Sequence, residues 1–332
     1  MALTPMKQIL EEAQKKGYGV GAYNVNNMEQ IQAIMGAAQE TKSPVIIQAS
    51  RGALKYSNFT YLKHLMLAAA EENPNIPLSM HLDHGNSLET VKKAIGLGFT
   101  SVMIDGSLME DGKTASDYNY NVNVTRSVVE YAHSFGVTVE GEIGRLGGIE
   151  DGVGSGSIHL TDPVEAKKFV DATGLDALAI AIGTSHGAYK FKGKTDLAMD
   201  VLKEVRKLIN IPIVLHGASS VPQDMIDKVN KYGGQMPGAT GVPMKSLQEA
   251  IKLGVSKINV DTDGRLAITA AIREVFATHP EKFDPRDYLG PARDALKALI
   301  ITKMKDFATA GHSDDYKSVS LDDMKKVYAA KK

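Results

Sequence analysis

The chain has 332 residues, 43% of them hydrophobic, with 38 Lys+Arg against 39 Asp+Glu for a net charge of −1. This length suits one large barrel or two medium domains, and the balanced charge excludes a global pull toward nucleic acid or an anionic membrane. With no cysteine, disulfides, thiolate metal sites and cysteine nucleophiles are excluded together, which fits a reducing compartment.

The first residues, Met1-Ala2-Leu3-Thr4-Pro5, lack a charged segment followed by an apolar one, so no secretory signal is expected. No apolar run approaches the ~20 residues that span a bilayer. The expectation is a cytoplasmic protein with no membrane partner. Short β-prone runs follow at 19–23, 45–49, 78–82, 101–104, 137–140, 177–181, 213–215 and 257–260. Amphipathic segments lie between them at 28–40, 88–95, 118–134, 163–172, 197–209 and 245–253. Alternation of this kind implies parallel pairing through right-handed crossovers, and eight strands suggest a closed (β/α)₈ TIM barrel. Glycine-rich stretches at 141–156 and 232–241 are long enough to be functional loops. Beyond Phe283, helical patterns at 291–308 and 321–330 fall outside the eightfold count. Nothing reads as a linker, so one barrel domain is expected over 1–332, with a C-terminal helical extension from about 284 to 332.

In such a barrel, chemistry gathers at the carboxyl ends of the strands. Read in order, those ends carry Asn24, Ser50, Asp83 with His84, Asp105, Glu140 and Glu142, His186, His216, then Asn259 and Asp261. Of nine histidines, His84, His186 and His216 each end a strand and each precede a glycine. Three neutral imidazoles converging on one rim can hold a divalent metal and leave a position for substrate. His64, His133, His279 and His312 fall in helical or terminal segments and receive no role. His159 is undecided, and His81 points into packing or supports the ligands. Asp83 either orients an imidazole or transfers a proton beside the metal. Glu150, in the first glycine-rich stretch, is a candidate for a second proton transfer. Barrels commonly bind phosphate near their last two strands. Here Ser185-His186-Gly187 with Lys190, His216-Gly217-Ala218-Ser219, and Asn259-Val260-Asp261-Thr262-Asp263-Gly264 suit that task. A small phosphorylated substrate is therefore expected.

These segments resemble the class II, metal-dependent fructose-1,6-bisphosphate aldolases, over nearly the whole chain. The resemblance is carried by Ala22-Tyr23-Asn24-Val25-Asn26, His81-Leu82-Asp83-His84-Gly85, Met103-Ile104-Asp105-Gly106-Ser107 and Glu140-Gly141-Glu142-Ile143-Gly144. It continues through Gly147-Gly148-Ile149-Glu150-Asp151, Gly183-Thr184-Ser185-His186-Gly187, His216-Gly217-Ala218-Ser219 and Asn259-Val260-Asp261-Thr262-Asp263. The segment at 233–241 is similar to the longer-loop branch of that family.

The resemblance implies that His84, His186 and His216 hold a catalytic zinc. It places a second divalent metal at Asp105 and Glu142 and leaves room for a monovalent cation. Asp83 would exchange the proton at the C4 oxygen, and Glu150 the proton at the carbon that becomes nucleophilic. Gly187, Gly217, Ala218, Ser219 and the run Asn259, Val260, Asp261 and Thr262 would contact dihydroxyacetone phosphate. Ser50 would contact glyceraldehyde 3-phosphate, Asn24 would help place the substrate, and Lys190 lies beside the same loops. Arg265 and Arg286 are rival cations for the second phosphate, in some members supplied by a neighbouring subunit. A homo-oligomer, dimer or tetramer, is implied. Ala218 departs from the glycine that some relatives carry.

The implied reaction is reversible aldol cleavage of fructose 1,6-bisphosphate through a zinc-stabilised enediolate. The rivals are tagatose 1,6-bisphosphate as substrate, a metal-dependent barrel hydrolase, a Schiff-base aldolase and a non-catalytic sugar-phosphate-binding protein. The Schiff-base route needs a lysine at a strand's carboxyl end, and neither Lys190 nor Lys257 is placed there.

Overall fold

The computed structural model describes residues 3–148, 158–189 and 196–330. In chain order it begins α1 (Met6–Lys16), β1 (Val20–Asn24), α2 (Met28–Thr41), β2 (Val45–Ser50), α3 (Arg51–Tyr56), α4 (Phe59–Glu72) and β3 (Leu78–Gly85). It continues α5 (Leu88–Gly96), β4 (Ser101–Ile104), α6 (Tyr118–His133), β5 (Thr138–Ile143), α7 (Pro163–Thr173), β6 (Ala177–Ile180) and α8 (Met199–Leu208). It ends β7 (Ile213–Leu215), α9 (Gln223–Lys231), α10 (Met244–Lys252), β8 (Val255–Val260), α11 (Thr262–Thr278), α12 (Pro285–Asp306) and α13 (Leu321–Ala329). The strands pair in sequence order into a closed barrel, with β8 parallel to β1. This is the expected TIM barrel. No helix among the described residues is long and apolar enough to cross a membrane.

The strands alternate between two cores, as the period of 2 requires. Ile47, Leu82, Val102, Val139, Leu178 and Ile258 pack outward against the helices. Val20, Ala22, Ile46, Ala177, Ala179 and Val214 form a second cluster with Met6, Ile9, Leu10 and Ala13 of α1. So α1, whose apolar residues recur at helical spacing, plugs the amino end of the barrel. Farther along the strands the buried set turns polar: Gln48, His81, Asp83, Glu140, Glu142, His216, Lys257 and Asn259.

Several boundaries differ from the pattern reading; β3, for one, runs on to Gly85, which brings Asp83 and His84 inside the strand. β5 runs on to Ile143, which brings Glu142 inside the strand. The C-terminal helix α12 starts at Pro285 and carries Pro291 within it. Proline suits the first helical position, and Asp284 caps the end by accepting from Arg286 N at 2.9 Å.

The amino face is tied together by Asp176. Its Oδ2 accepts from His133 Nε2, Val139 N and Tyr328 Oη, each at 2.9 Å, and Lys7 Nζ lies 3.1 Å from Oδ1. The His133 and Tyr328 rings stack 3.6 Å apart. One buried carboxylate thus joins α1, α6, β5 and α13. Burial would raise the Asp176 carboxyl, but the His133 bond and the Lys7 charge outweigh it and hold it below its usual value. A carboxylate depressed on folding contributes stability that is present above its unfolded value and lost as pH falls through the folded one. Asp176→Asn should therefore lower stability by about 3–5 kcal/mol at neutral pH, as breaking a buried pair does. The gap to the parent should start to narrow as the pH drops below ~4, the ordinary aspartate value, and close only below the depressed folded value. Denaturant melts at both pH values measure this, and equal midpoints at neutral pH would refute it.

Candidate active site

Of the residues anticipated from sequence, Asn24, Ser50, Asp83, His84, His186, Gly217, Ala218, Ser219, Asn259 and Asp261 line one cavity at the carboxyl end of the barrel. The closed register brings them together from β1, β2, β3, β8 and the segments that follow β6, β7 and β8.

Two histidines aim ring nitrogens at each other. His84 Nδ1 sits 3.3 Å from Asp105 Oδ2, and His216 Nε2 sits 2.7 Å from Glu140 Oε1. A carboxylate only accepts, so each of these ring nitrogens carries the proton. The remaining nitrogens, His84 Nε2 and His216 Nδ1, lie 3.1 Å apart: a second proton on His84 makes this contact a hydrogen bond, and with both imidazoles neutral it presents two facing lone pairs. Ligand nitrogens about 2.05 Å from a tetrahedral ion lie roughly 3.3 Å apart, so this separation suits a shared metal. The His186 ring lies edge-on to His84, its centroid 5.0 Å away, while the ligand atoms that come mutually close at this point belong to Asp83, His84 and His216. Glu142 Oε2 lies 3.6 Å from His216 Nδ1 and is buried without a hydrogen-bond partner. His84, Asp105 and Glu142 make a second set with mutually close ligand atoms. The residues fit a divalent cation, and the fit rests on inward lone pairs plus an unsatisfied carboxylate oxygen.

The electrostatics agree. Burial disfavours a charge on His84, yet Asp83, Asp105 and Glu142 outweigh it and push its imidazole up to about 10. Burial and the charges of His84 and Lys257 press His216 well below its usual value. Burial and the neighbouring Asp105 drive Glu142 well above the ordinary carboxylate range. The carboxylates thus call for a positive charge at this point, which a proton on His84 supplies when no metal does.

Asp83 sits in a cage of amides. Asn24 Nδ2 donates to Oδ2 at 2.9 Å, Gln48 Nε2 to the same oxygen at 3.4 Å, and Asn259 Nδ2 to Oδ1 at 3.2 Å. Burial would raise this carboxyl, but His84, His216, Lys257 and the Asn24 bond keep it below its usual value. An ionised oxygen held at the cavity wall can accept a proton from a substrate hydroxyl. Sequence reasoning missed Gln48, which also donates to Asn24 Oδ1 at 2.6 Å. Its signal was a polar residue two positions before Ser50, on the same face of β2. Arg51 was missed as well. It lines the cavity, and its Nε donates to the His84 carbonyl at 3.2 Å, beside the left-handed His84 backbone (φ 50°).

Below the imidazoles lies a fully buried ionic cluster. Lys257 Nζ is 2.9 Å from Glu140 Oε2 and 3.4 Å from His81 Nε2, while His81 Nδ1 bonds Ser101 Oγ at 2.8 Å. Lys257 therefore faces the barrel interior beneath the ligands and away from the mouth. This confirms that it is poorly placed for Schiff-base chemistry.

The last two strands deliver the loops expected to bind phosphate. Gly217 has φ 58°, and a Cβ there would meet Ser185 O at 2.6 Å, so the position requires glycine. Thr262 opens α11, and Val260 ends β8. Gly187 follows His186 in the left-handed region (φ 82°). Arg265 pairs with Asp261 at 2.6 Å, one turn along the same helix. Arg286 lies on the surface at the start of α12, its side chain 90% exposed and paired with Asp284. His159 closes the base of the first glycine-rich stretch by pairing with Arg145. Glu150 and Lys190 fall outside the described residues.

The family model described as "Fructose-bisphosphate aldolase class-II" matches residues 4–312. The chain is 58% identical over 330 residues to a fructose-bisphosphate aldolase of Giardia intestinalis, covering 99% of this chain and 100% of that one. It is 51% identical over 345 residues to a fructose-bisphosphate aldolase of Nostoc commune, covering 99% and 96%. Among solved structures, the YdjI aldolase from Escherichia coli K12 superposes with a TM-score of 0.75 at 30% identity, covering 94% of this chain and 100% of that one. A likeness this extensive, converging with a metal-fitting histidine rim on a closed eight-stranded barrel, settles the matter of descent: the chain belongs to the class-II fructose-bisphosphate aldolase family.

Proposed function

We propose that the chain catalyses the reversible aldol cleavage of fructose 1,6-bisphosphate to dihydroxyacetone phosphate and glyceraldehyde 3-phosphate. The observation that carries this reading is the caged Asp83 carboxylate beside the paired lone pairs of His84 and His216. The names of the relatives support the same substrate. We assign the metal to His84, His186 and His216, with Asp105 and Glu142 as the second position. Three nitrogen ligands with no thiolate favour zinc. When bound, the metal polarises the ketone carbonyl and offsets charge that develops beside it.

Asp83 accepts the proton of the C4 hydroxyl as the C3–C4 bond breaks. The C4 oxygen becomes the aldehyde of glyceraldehyde 3-phosphate, and the bond's electron pair passes into the enediolate of dihydroxyacetone phosphate. Asn24, Gln48 and Asn259 hold the carboxylate oxygens in place for that transfer. Glu150 is assigned the return of a proton to C3. The amides of Gly187, Gly217, Ala218 and Ser219, with Asn259, Val260, Asp261, Thr262 and Lys190, hold one phosphate. Ser50 and Arg265 attend the other. Arg286 follows Phe283, a 91% exposed aromatic side chain, by three positions, and two such exposed residues close in sequence favour a homo-oligomer in which Arg286 reaches a neighbouring site. The cysteine-free composition suits the cytoplasm.

Cleavage of fructose 1,6-bisphosphate should vanish on EDTA treatment and return when zinc is added back, with metal content followed in parallel. Activity that persists in protein shown to be metal-free would remove the three-histidine assignment.

A further inference from the structure

Three braces converge on the loop after β7, and the phosphate reading does not account for them. The first is Asp263 at the start of α11. Its carboxylate accepts from Ser220 N at 2.9 Å and Val221 N at 2.6 Å. The second is Lys303 of α12, whose Nζ lies 2.6 Å from Asp263 Oδ2 and also donates to Ser220 Oγ. Both ionic side chains are buried, at 0% exposure for Asp263 and 2% for Lys303. The third is the 240–242 segment: Val242 N donates to Ser219 O at 3.0 Å, and a Cβ on Gly241 would strike Ser220 C at 2.3 Å.

The loop is held in a shape it would not adopt by itself. Val221 sits at φ 48°, in the left-handed region that a β-branched side chain avoids. The residue that keeps it there is Asp263, which takes the amides of Ser220 and Val221 together. Among the described residues, no acceptor takes the N–H of Gly217, Ala218 or Ser219. Unclaimed consecutive amides beside a strained turn form an anion-binding concavity. A buried ion pair is weak evidence for stability by itself, because desolvation offsets much of its attraction. Specifying one geometry is the role that remains.

We propose that Lys303 and Asp263 are positioning residues for phosphate recognition: through Ser220 and Val221 they fix the turn that points the Gly217–Ser219 amides at the anion. This rests on the reading that those amides bind a phosphate. It gives α12, which lies outside the eightfold repeat, a direct connection to the active site. Asp263 and Lys303 touch no substrate and act only through the loop.

The test uses the metal-loaded enzyme. It measures the Michaelis constant for fructose 1,6-bisphosphate and the inhibition constant of inorganic phosphate in the parent, Lys303→Met, Lys303→Arg and Gly217→Ala. Lys303→Met should raise both constants roughly five- to ten-fold, the scale of one displaced charge-assisted bond, while kcat stays within about two-fold. Lys303→Arg, which keeps the charge, should recover part of the loss. If phosphate inhibits Lys303→Met as strongly as the parent while Gly217→Ala is impaired, the positioning role is overturned and the phosphate reading stands. If neither variant is impaired, the phosphate reading fails and this inference with it. Should Lys303→Met not fold, the double variant Lys303→Met/Asp263→Asn carries the same test, because it leaves no unpaired buried charge.

Discussion

Asp83→Ala should reduce kcat by about 10²–10⁴-fold, the range spanned by positioned proton-transfer groups, with the metal still bound. The geometry makes this a sharp division. Asp83 Oδ1 lies 4.0 Å from His84 Nε2, so the same carboxylate is close enough to serve as a metal ligand. Its hydrogen bonding argues otherwise. Three side-chain amides from β1, β2 and β8 already point at its two oxygens, and they orient an acceptor toward the cavity. The lone pairs of His84 and His216, by contrast, are directed at each other with their outer nitrogens engaged by Asp105 and Glu140. Metal analysis beside steady-state kinetics separates the two roles. Full metal content with a collapsed kcat identifies a proton-transfer group. Metal lost in proportion to activity would make Asp83 a ligand.

Lys257→Met should lower folding stability by about 3–5 kcal/mol, because it strands the Glu140 carboxylate in a wholly buried site. Both side chains have 0% exposure and lie 2.9 Å apart. Adding Glu140→Gln to Lys257→Met should return most of that stability, since no unpaired charge remains. Metal affinity should behave differently. Glu140 is the acceptor that fixes which His216 nitrogen is bare, so Glu140→Gln should weaken metal binding about 10–100-fold with or without Lys257. Chelator competition reads affinity and denaturant unfolding reads stability. Should the double variant regain both together, Glu140 matters only as the counter-ion of Lys257.

The sequence revealed the barrel and its rim more readily than what lies beneath. Strand ends were legible because short apolar runs stop at polar residues, and those stops face one opening once the sheet closes. Gln48 and Lys257 were harder to see. Each occupies an inward position within a run that is otherwise buried, where alternation gives the face but not the partner. Lys257 reads as the start of a strand, and only closure of β8 onto β1, with β5 opposite, brings it to Glu140. Arg51 was obscured because it opens a six-residue helix directly after Ser50. Asp263 and Lys303 are separated by a helix and a connection, so their pairing follows from packing alone. Pro291 concealed the first turns of α12, since a proline usually marks a helix boundary.

The apolar plug made by α1 gives the enzyme a single doorway. Met6, Ile9 and Leu10 are fully buried against Val20, Ala22, Ile46 and Val214, and His81, Glu140 and Lys257 fill the barrel above them, so no passage runs through to the far end. Whatever enters over the histidine rim must leave by the same mouth.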